Sequence, residues 1–188
     1  MKLIGISGTN GSGKDTLAGL LAEKYGFLFI TVTEMLRAEC RRRGIEVSRE
    51  NLRMVSAEWR RESGVAVLID KAIETFKPEE QQHVGLVIAS LRNPGEAVRV
   101  HELGGTVVWV DADSRIRYER IHNSHRGRDE EDNKTYEEFL AEEEAEMHTT
   151  GDAATLNMTA VHELSDITIM NESDLEALQK ITETLLGV

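Results

Sequence analysis

Short apolar runs alternate with stretches of helical spacing along this chain. Leu3-Ile4-Gly5-Ile6-Ser7 reads as a strand, and beyond a glycine-rich loop Leu17, Leu20, Leu21 and Tyr25 share one helical face. Phe27-Leu28-Phe29-Ile30 is the next strand. Helical spacing returns with Leu52, Val55 and Trp59, and again with Leu68, Ile69, Ala72, Ile73 and Phe76. Val84-Gly85-Leu86-Val87-Ile88-Ala89 is almost continuously apolar, the pattern of a strand covered on both faces. Thr106-Val107-Val108-Trp109-Val110 and Ile167-Thr168-Ile169-Met170 supply two more strands, and Leu175, Leu178, Ile181, Leu185 and Leu186 stripe a last helix. This alternation predicts an α/β fold of three layers (α/β/α) around a five-stranded parallel sheet with right-handed crossovers. Trp59, on a helical stripe, and Trp109, within a strand, are expected in the core.

At 188 residues, with no repeat and no proline-rich linker, positions 1–188 read as one domain. A single cysteine, Cys40, excludes an internal disulfide and fits a reducing compartment. The start, Met1 to Ile6, reaches glycines too soon for a signal peptide, and no apolar run approaches the roughly 20 residues of a membrane helix. A cytoplasmic protein, monomer or homodimer, with no membrane partner is expected. The net charge of −12 is uneven: residues 129–146 hold ten acids and one lysine, whereas residues 37–61 hold eight arginines and four glutamates. That balance argues against polymeric nucleic acid as a partner, while the basic segment suits a small anionic substrate. Tyr136, Phe139, Leu140 and Met147 keep helical spacing, so Glu142, Glu143, Glu144 and Glu146 are expected to face water. The six histidines show no zinc-ligand spacing.

Gly8-Thr9-Asn10-Gly11-Ser12-Gly13-Lys14 fits G-x-x-x-x-G-K between the first strand and first helix. Glycines allow the backbone to curl so that several N–H groups face a polyphosphate, and the following helix adds its positive dipole end. Lys14 would reach the β- and γ-phosphates of ATP. Asp15 stands where a Mg²⁺-binding hydroxyl is usual, and the hydroxyl comes one residue later at Thr16, so these two are the candidate metal-side residues. Two motif tests speak against a switch GTPase: no aspartate has glycine three residues on, and the one Asn-Lys pair, Asn133-Lys134, is followed by Thr135-Tyr136.

Gly11 to Thr16, followed by Thr33-Glu34-Met35-Leu36-Arg37-Ala38, resembles the adenylate-kinase group of nucleoside monophosphate kinases. Ser90-Leu91-Arg92-Asn93-Pro94-Gly95-Glu96, Arg126-Gly127-Arg128-Asp129 and Ser165 to Asn171 extend the likeness to adenylate-kinase-related proteins over almost the whole length. The resemblance implies a P-loop NTPase fold of the nucleotide-kinase type, with an acceptor-binding helical region at about residues 33–76 and a short lid at about 122–134. It implies ATP and Mg²⁺ as cofactors and transfer of the γ-phosphoryl group to a nucleoside or deoxynucleoside monophosphate. Glu34, Arg37 and Arg92 would hold the acceptor; Arg120 with Arg126 and Arg128 would close over the donor phosphates. Such relatives usually carry an aspartate at the end of the third strand, where this chain reads Ile88-Ala89-Ser90. Arg41, Arg42, Arg43, Arg60 and Arg61 read as ordinary helix surface. A dephospho-CoA-kinase-type enzyme is the rival within the class, with Glu34 as its one available base; outside it, the rival is a regulatory ATP-binding protein.

Overall fold

In the computed structural model, residues 2–123, 134–147 and 151–187 are described. Parallel strands β1 (Lys2–Gly8), β2 (Phe27–Thr31), β3 (Gly85–Ala89), β4 (Thr106–Asp111) and β5 (Ile167–Met170) form a five-stranded sheet of order β2-β3-β1-β4-β5. β1 lies at the centre, with Ile4 opposite Val87 of β3 on one side and Thr106 of β4 on the other. Each predicted strand is present, although Val84 stays exposed and β3 begins one residue later.

Helices α1 (Lys14–Tyr25), α2 (Val32–Arg43), α3 (Arg49–Ser63), α4 (Val67–Phe76), α5 (Pro94–Glu102), α6 (Ser114–Asn123), α7 (Tyr136–Met147), α8 (Met158–Glu163) and α9 (Leu175–Leu186) complete the described elements, with a 3-10 turn at Lys77–Gln82. Alternate strand positions point to opposite faces, so β1 to β4 each serve two cores, while the edge strand β5 serves one through Ile167 and Ile169 and leaves Met170 exposed. Leu86, Ile88, Val107 and Trp109 meet α2–α5 and α8 on one face. Ile4, Ile6, Val87, Val108, Val110 and Ile169 meet α1 and α9 on the other. This double coverage explains why the strands are apolar throughout, and each fully buried Leu or Ile contributes about 1.5–3 kcal/mol. Trp109 is buried and stacks on His162 with centroids 4.5 Å apart, while Trp59 packs half-buried against the same core. Among the described residues, no helix is long and apolar enough to cross a membrane.

Candidate active site

The loop from Gly8 to Gly13 leaves the carboxyl end of the central strand and runs directly into α1. Gly11 and Gly13 adopt left-handed φ angles of 79° and 92°. A Cβ on Gly11 would lie 2.6 Å from the Arg117 carbonyl oxygen, and one on Gly13 would lie 2.4 Å from Asn171 Nδ2, so neither position has room for a side chain. Gly13 is the N-cap of α1, and no side chain caps that helix. Lys14 is largely buried and donates to the Thr9 carbonyl at 3.3 Å. Asp15 and Thr16 are exposed on the first turn beside it.

Three contacts from distant parts of the chain hold this loop. Asn171, just past β5, donates to the Ser12 carbonyl at 2.8 Å. Asp111, ending β4, accepts from Thr9 Oγ1 at 2.7 Å and from the Ala112 amide at 2.8 Å. Arg117 on α6 donates to the carbonyls of Ala112 (2.8 Å) and Asn10 (3.3 Å) and pairs with Glu143 of α7. Neither Asp111 nor Arg117 stands out in the sequence. The one signal for Arg117 is its place a turn before the buried Ile121, where an apolar residue would be usual.

The segment after β3 is equally determined. Ser7 Oγ donates to the Leu91 carbonyl at 2.6 Å, which seats this segment against the base of the phosphate loop. Asn93 and Glu96 form a reciprocal capping box at the start of α5, with Pro94 in the first turn. Glu96 is fully buried; one oxygen accepts from the Arg92 amide at 2.8 Å, and the other accepts from Arg60 at 2.6 Å. Arg60 was expected on the surface, but it is 3% exposed, because the Glu96 carboxylate, Ser56 and the Ala154 carbonyl satisfy its guanidinium inside the protein. Ser90, at the missing-aspartate position, is buried with a left-handed φ of 71°.

A cleft of about 880 Å³ joins these parts, lined by Lys14, Asp15 and Thr16 of α1 and by Glu34 and Arg37 of α2. Arg92, Ser90 and Lys134 border it as well. Arg37 bonds Glu34 at 2.5 Å, so these two face each other across one helical turn. Arg120 does not line the cleft; its Nη1 is buried with no hydrogen-bond partner among the described residues, as is Ser12 Oγ within the loop. Arg126 and Arg128 lie outside the described residues, as does most of the predicted lid.

The acidic helix corrects a second expectation. Glu142, Glu143 and Glu146 follow Phe139 at helical spacing and line a small cavity beside Gly8, Thr9 and Asn10, and Glu146 borders the cleft as well. Glu143 takes two bonds from Arg117, at 2.5 and 3.0 Å. Glu142 takes Lys134 at 2.6 Å and Arg49 at 3.1 Å. Glu146, with 12% of its side chain exposed, takes Arg92 at 2.8 Å and Arg53 at 2.7 Å. Burial pushes the Glu146 carboxyl up, but Arg92, Arg49 and Arg53 together outweigh it and hold it below the usual carboxylate range. Basic side chains of α3 and of the loop after β3 thus draw the acidic face inward; Glu144 stays exposed. Arg49, Arg53 and Arg60 recur on one face of α3, a spacing that the sequence carried but that composition concealed.

The sequence profile of a family described as an AAA domain matches residues 4–147. A UPF0200 protein of Hyperthermus butylicus is 31% identical over 98% of this chain and 93% of its own length. A second, from Pyrobaculum aerophilum, is 28% identical over 99% of this chain and 98% of its own. Among solved structures, a Thermus thermophilus protein superposes with a TM-score of 0.59 at 22% identity, covering 99% of this chain and 96% of that one. Shikimate kinase from Bacteroides thetaiotaomicron gives 0.59 at 13% identity over 100% of this chain and 99% of that one. At these identities the two structures speak for the fold: a three-layer α/β/α sheet of the P-loop kinase kind.

Proposed function

The chain belongs to the UPF0200 family and carries its AAA domain in a P-loop kinase-like fold, and on that premise we propose that it is an ATP-dependent phosphotransferase. Its acceptor would be a small phosphorylated molecule of the nucleoside monophosphate type. The observation that carries this reading is that the phosphate loop with Lys14 lines the same cleft as Arg37 and Arg92. The loop suits a triphosphate tail, since its glycines curl the backbone through left-handed φ angles and Ser12 Oγ is a buried hydroxyl with no hydrogen-bond partner among the described residues.

Phosphoryl transfer asks mainly for positioning and positive charge. Lys14 and the loop amides bind the donor phosphates and follow charge as it moves to the leaving ADP. Arg92, fixed through its own amide by Glu96, orients the acceptor phosphate so that one of its oxygens attacks the γ-phosphorus in line. The bond to the β–γ bridging oxygen breaks in the same step. Arg126 and Arg128 would serve the donor side, whereas Arg120, which does not line the cleft, is given no part in it. Asp15 and Thr16 are the residues that would hold Mg²⁺ together with the donor phosphates and water, where the ion supplies further neutralisation.

ADP release, followed with a panel of nucleoside monophosphates and with dephospho-CoA, tests the proposal. Stimulation by a monophosphate supports it, and stimulation by dephospho-CoA alone selects that acceptor instead. Ser90 in place of a strand-end carboxylate favours a second reading, a slow regulatory ATPase; hydrolysis indifferent to every acceptor would select it. In either case Lys14→Ala should abolish the heat of MgATP binding, and undiminished binding would sink both readings.

A further inference from the structure

Three guanidinium groups from two separate elements converge on one carboxylate inside the cleft. Arg49 and Arg53 lie one turn apart on α3, and Arg92 comes from the loop after β3. Arg53 Nη2 and Arg49 Nη1 reach Glu146 Oε1 at 2.7 and 3.4 Å, while Arg92 Nη1 reaches Oε2 at 2.8 Å. Three guanidiniums share this one carboxylate, and Glu142 is in turn shared between Arg49 and Lys134. A carboxylate has two oxygens to offer three guanidiniums, whereas a phosphate monoester has three terminal oxygens and nearly two charges. Arg37, by contrast, is engaged with Glu34 on its own helix. Glu146 and Arg49 also border a small cavity together with Gly8, Thr9 and Asn10 of the phosphate loop.

We propose that Arg49, Arg53 and Arg92 form the pocket for the acceptor's phosphate, and that Glu146 is an internal stand-in which the incoming dianion displaces. The word acceptor here rests on the phosphotransferase reading; the anion pocket itself does not. Arg49 and Arg53 become substrate-binding residues beside Arg92, and Glu146 becomes a built-in competitor that weakens binding of any acceptor lacking a full dianion. Each charge-assisted bond that Glu146 gives up is regained with the phosphate, so removing its charge should strengthen phosphate binding by about tenfold.

The test is titration of the full chain with inorganic phosphate, followed by calorimetry in the Lys14→Ala background so that the phosphate loop does not contribute. Glu146→Gln should bind phosphate about tenfold more tightly than its parent, and adding Arg53→Ala should cancel the gain. Equal or weaker binding in Glu146→Gln overturns the proposal. Should that variant not fold, Glu146→Asp, which keeps the charge but shortens the reach, should still bind more tightly than the parent; equal affinity again overturns it. Repeating the titration with AMP separates two sources of the same chemistry: a larger gain for AMP than for phosphate assigns the pocket to a phosphorylated acceptor, and an equal gain overturns that assignment. The MgATP titration of the unmodified chain is independent of these results. Failure there with a retained Glu146→Gln effect would remove the kinase reading and leave the anion pocket.

Discussion

Arg117 grips the Glu143 carboxylate at two points, 2.5 and 3.0 Å, while the same guanidinium donates to the backbone carbonyls of Ala112 and Asn10. One buried cation thus ties α7 to the phosphate loop and to the end of β4. Removing a partner from such a pair leaves an uncompensated charge, which costs about 3–5 kcal/mol. Arg117→Ala should therefore lose about that much stability in urea unfolding, and Arg117→Leu combined with Glu143→Leu should recover a large part. Near-neutral behaviour of Arg117→Ala would show that the bridge holds nothing in place.

Arg60 and Glu96 pair at 2.6 Å with side chains 1% and 0% exposed. Arg60→Ala should cost about 3–5 kcal/mol by the same reasoning. It should also raise the acceptor KM while leaving MgATP affinity unchanged, because Glu96 orients the Arg92 amide and touches nothing in the phosphate loop. Equal losses in both affinities would point to general unfolding rather than to the acceptor side.

Much of this was legible in the chain itself. The strands announced themselves because burial on both faces leaves little choice of residue, and the phosphate loop because its glycines answer to backbone geometry. The Ser90-to-Glu96 stretch is visible as a motif, yet its internal logic of cap, proline and buried carboxylate exists only in the fold. What stayed hidden was long-range pairing of charges. Arg60 and the acidic face of α7 look solvated when counted by composition, since nothing local in the sequence shows that Glu96 lies 36 positions from Arg60 or Glu146 54 from Arg92. Arg117 was missed for the same reason.

Ser90 holds a left-handed backbone conformation that costs a residue with a side chain about 1–3 kcal/mol. Ser90→Gly should stabilise the protein by about 0.5–1 kcal/mol once glycine's extra unfolded-state freedom is subtracted, readable as a shift in the urea midpoint. Ser90→Asp keeps a residue tolerant of this conformation and supplies the strand-end carboxylate; acceptor-dependent turnover should rise at least about tenfold. A fall in turnover with the fold intact would argue that serine is what this site requires.

Glu39 bonds Arg42 and Arg43, at 2.7 and 2.6 Å, and those hydrogen bonds lower its carboxyl from 4.5 to about 2. A carboxyl depressed by folding stabilises fully above its unfolded value and loses that contribution as pH falls through its folded one. Stability should thus decline between about pH 4.5 and 2 more steeply in the wild type than in Glu39→Gln. Parallel curves for the two proteins in denaturant titrations over this window would show the pair to be energetically silent.

Asn171 fastens the Ser12 carbonyl from 159 positions away. That hydrogen bond can form only when β5 lies beside β4, so it joins the loop to the assembled sheet and not to its own local sequence. Any change that displaces β5 would therefore take this partner from the Ser12 carbonyl, however far from the loop the change lies in sequence.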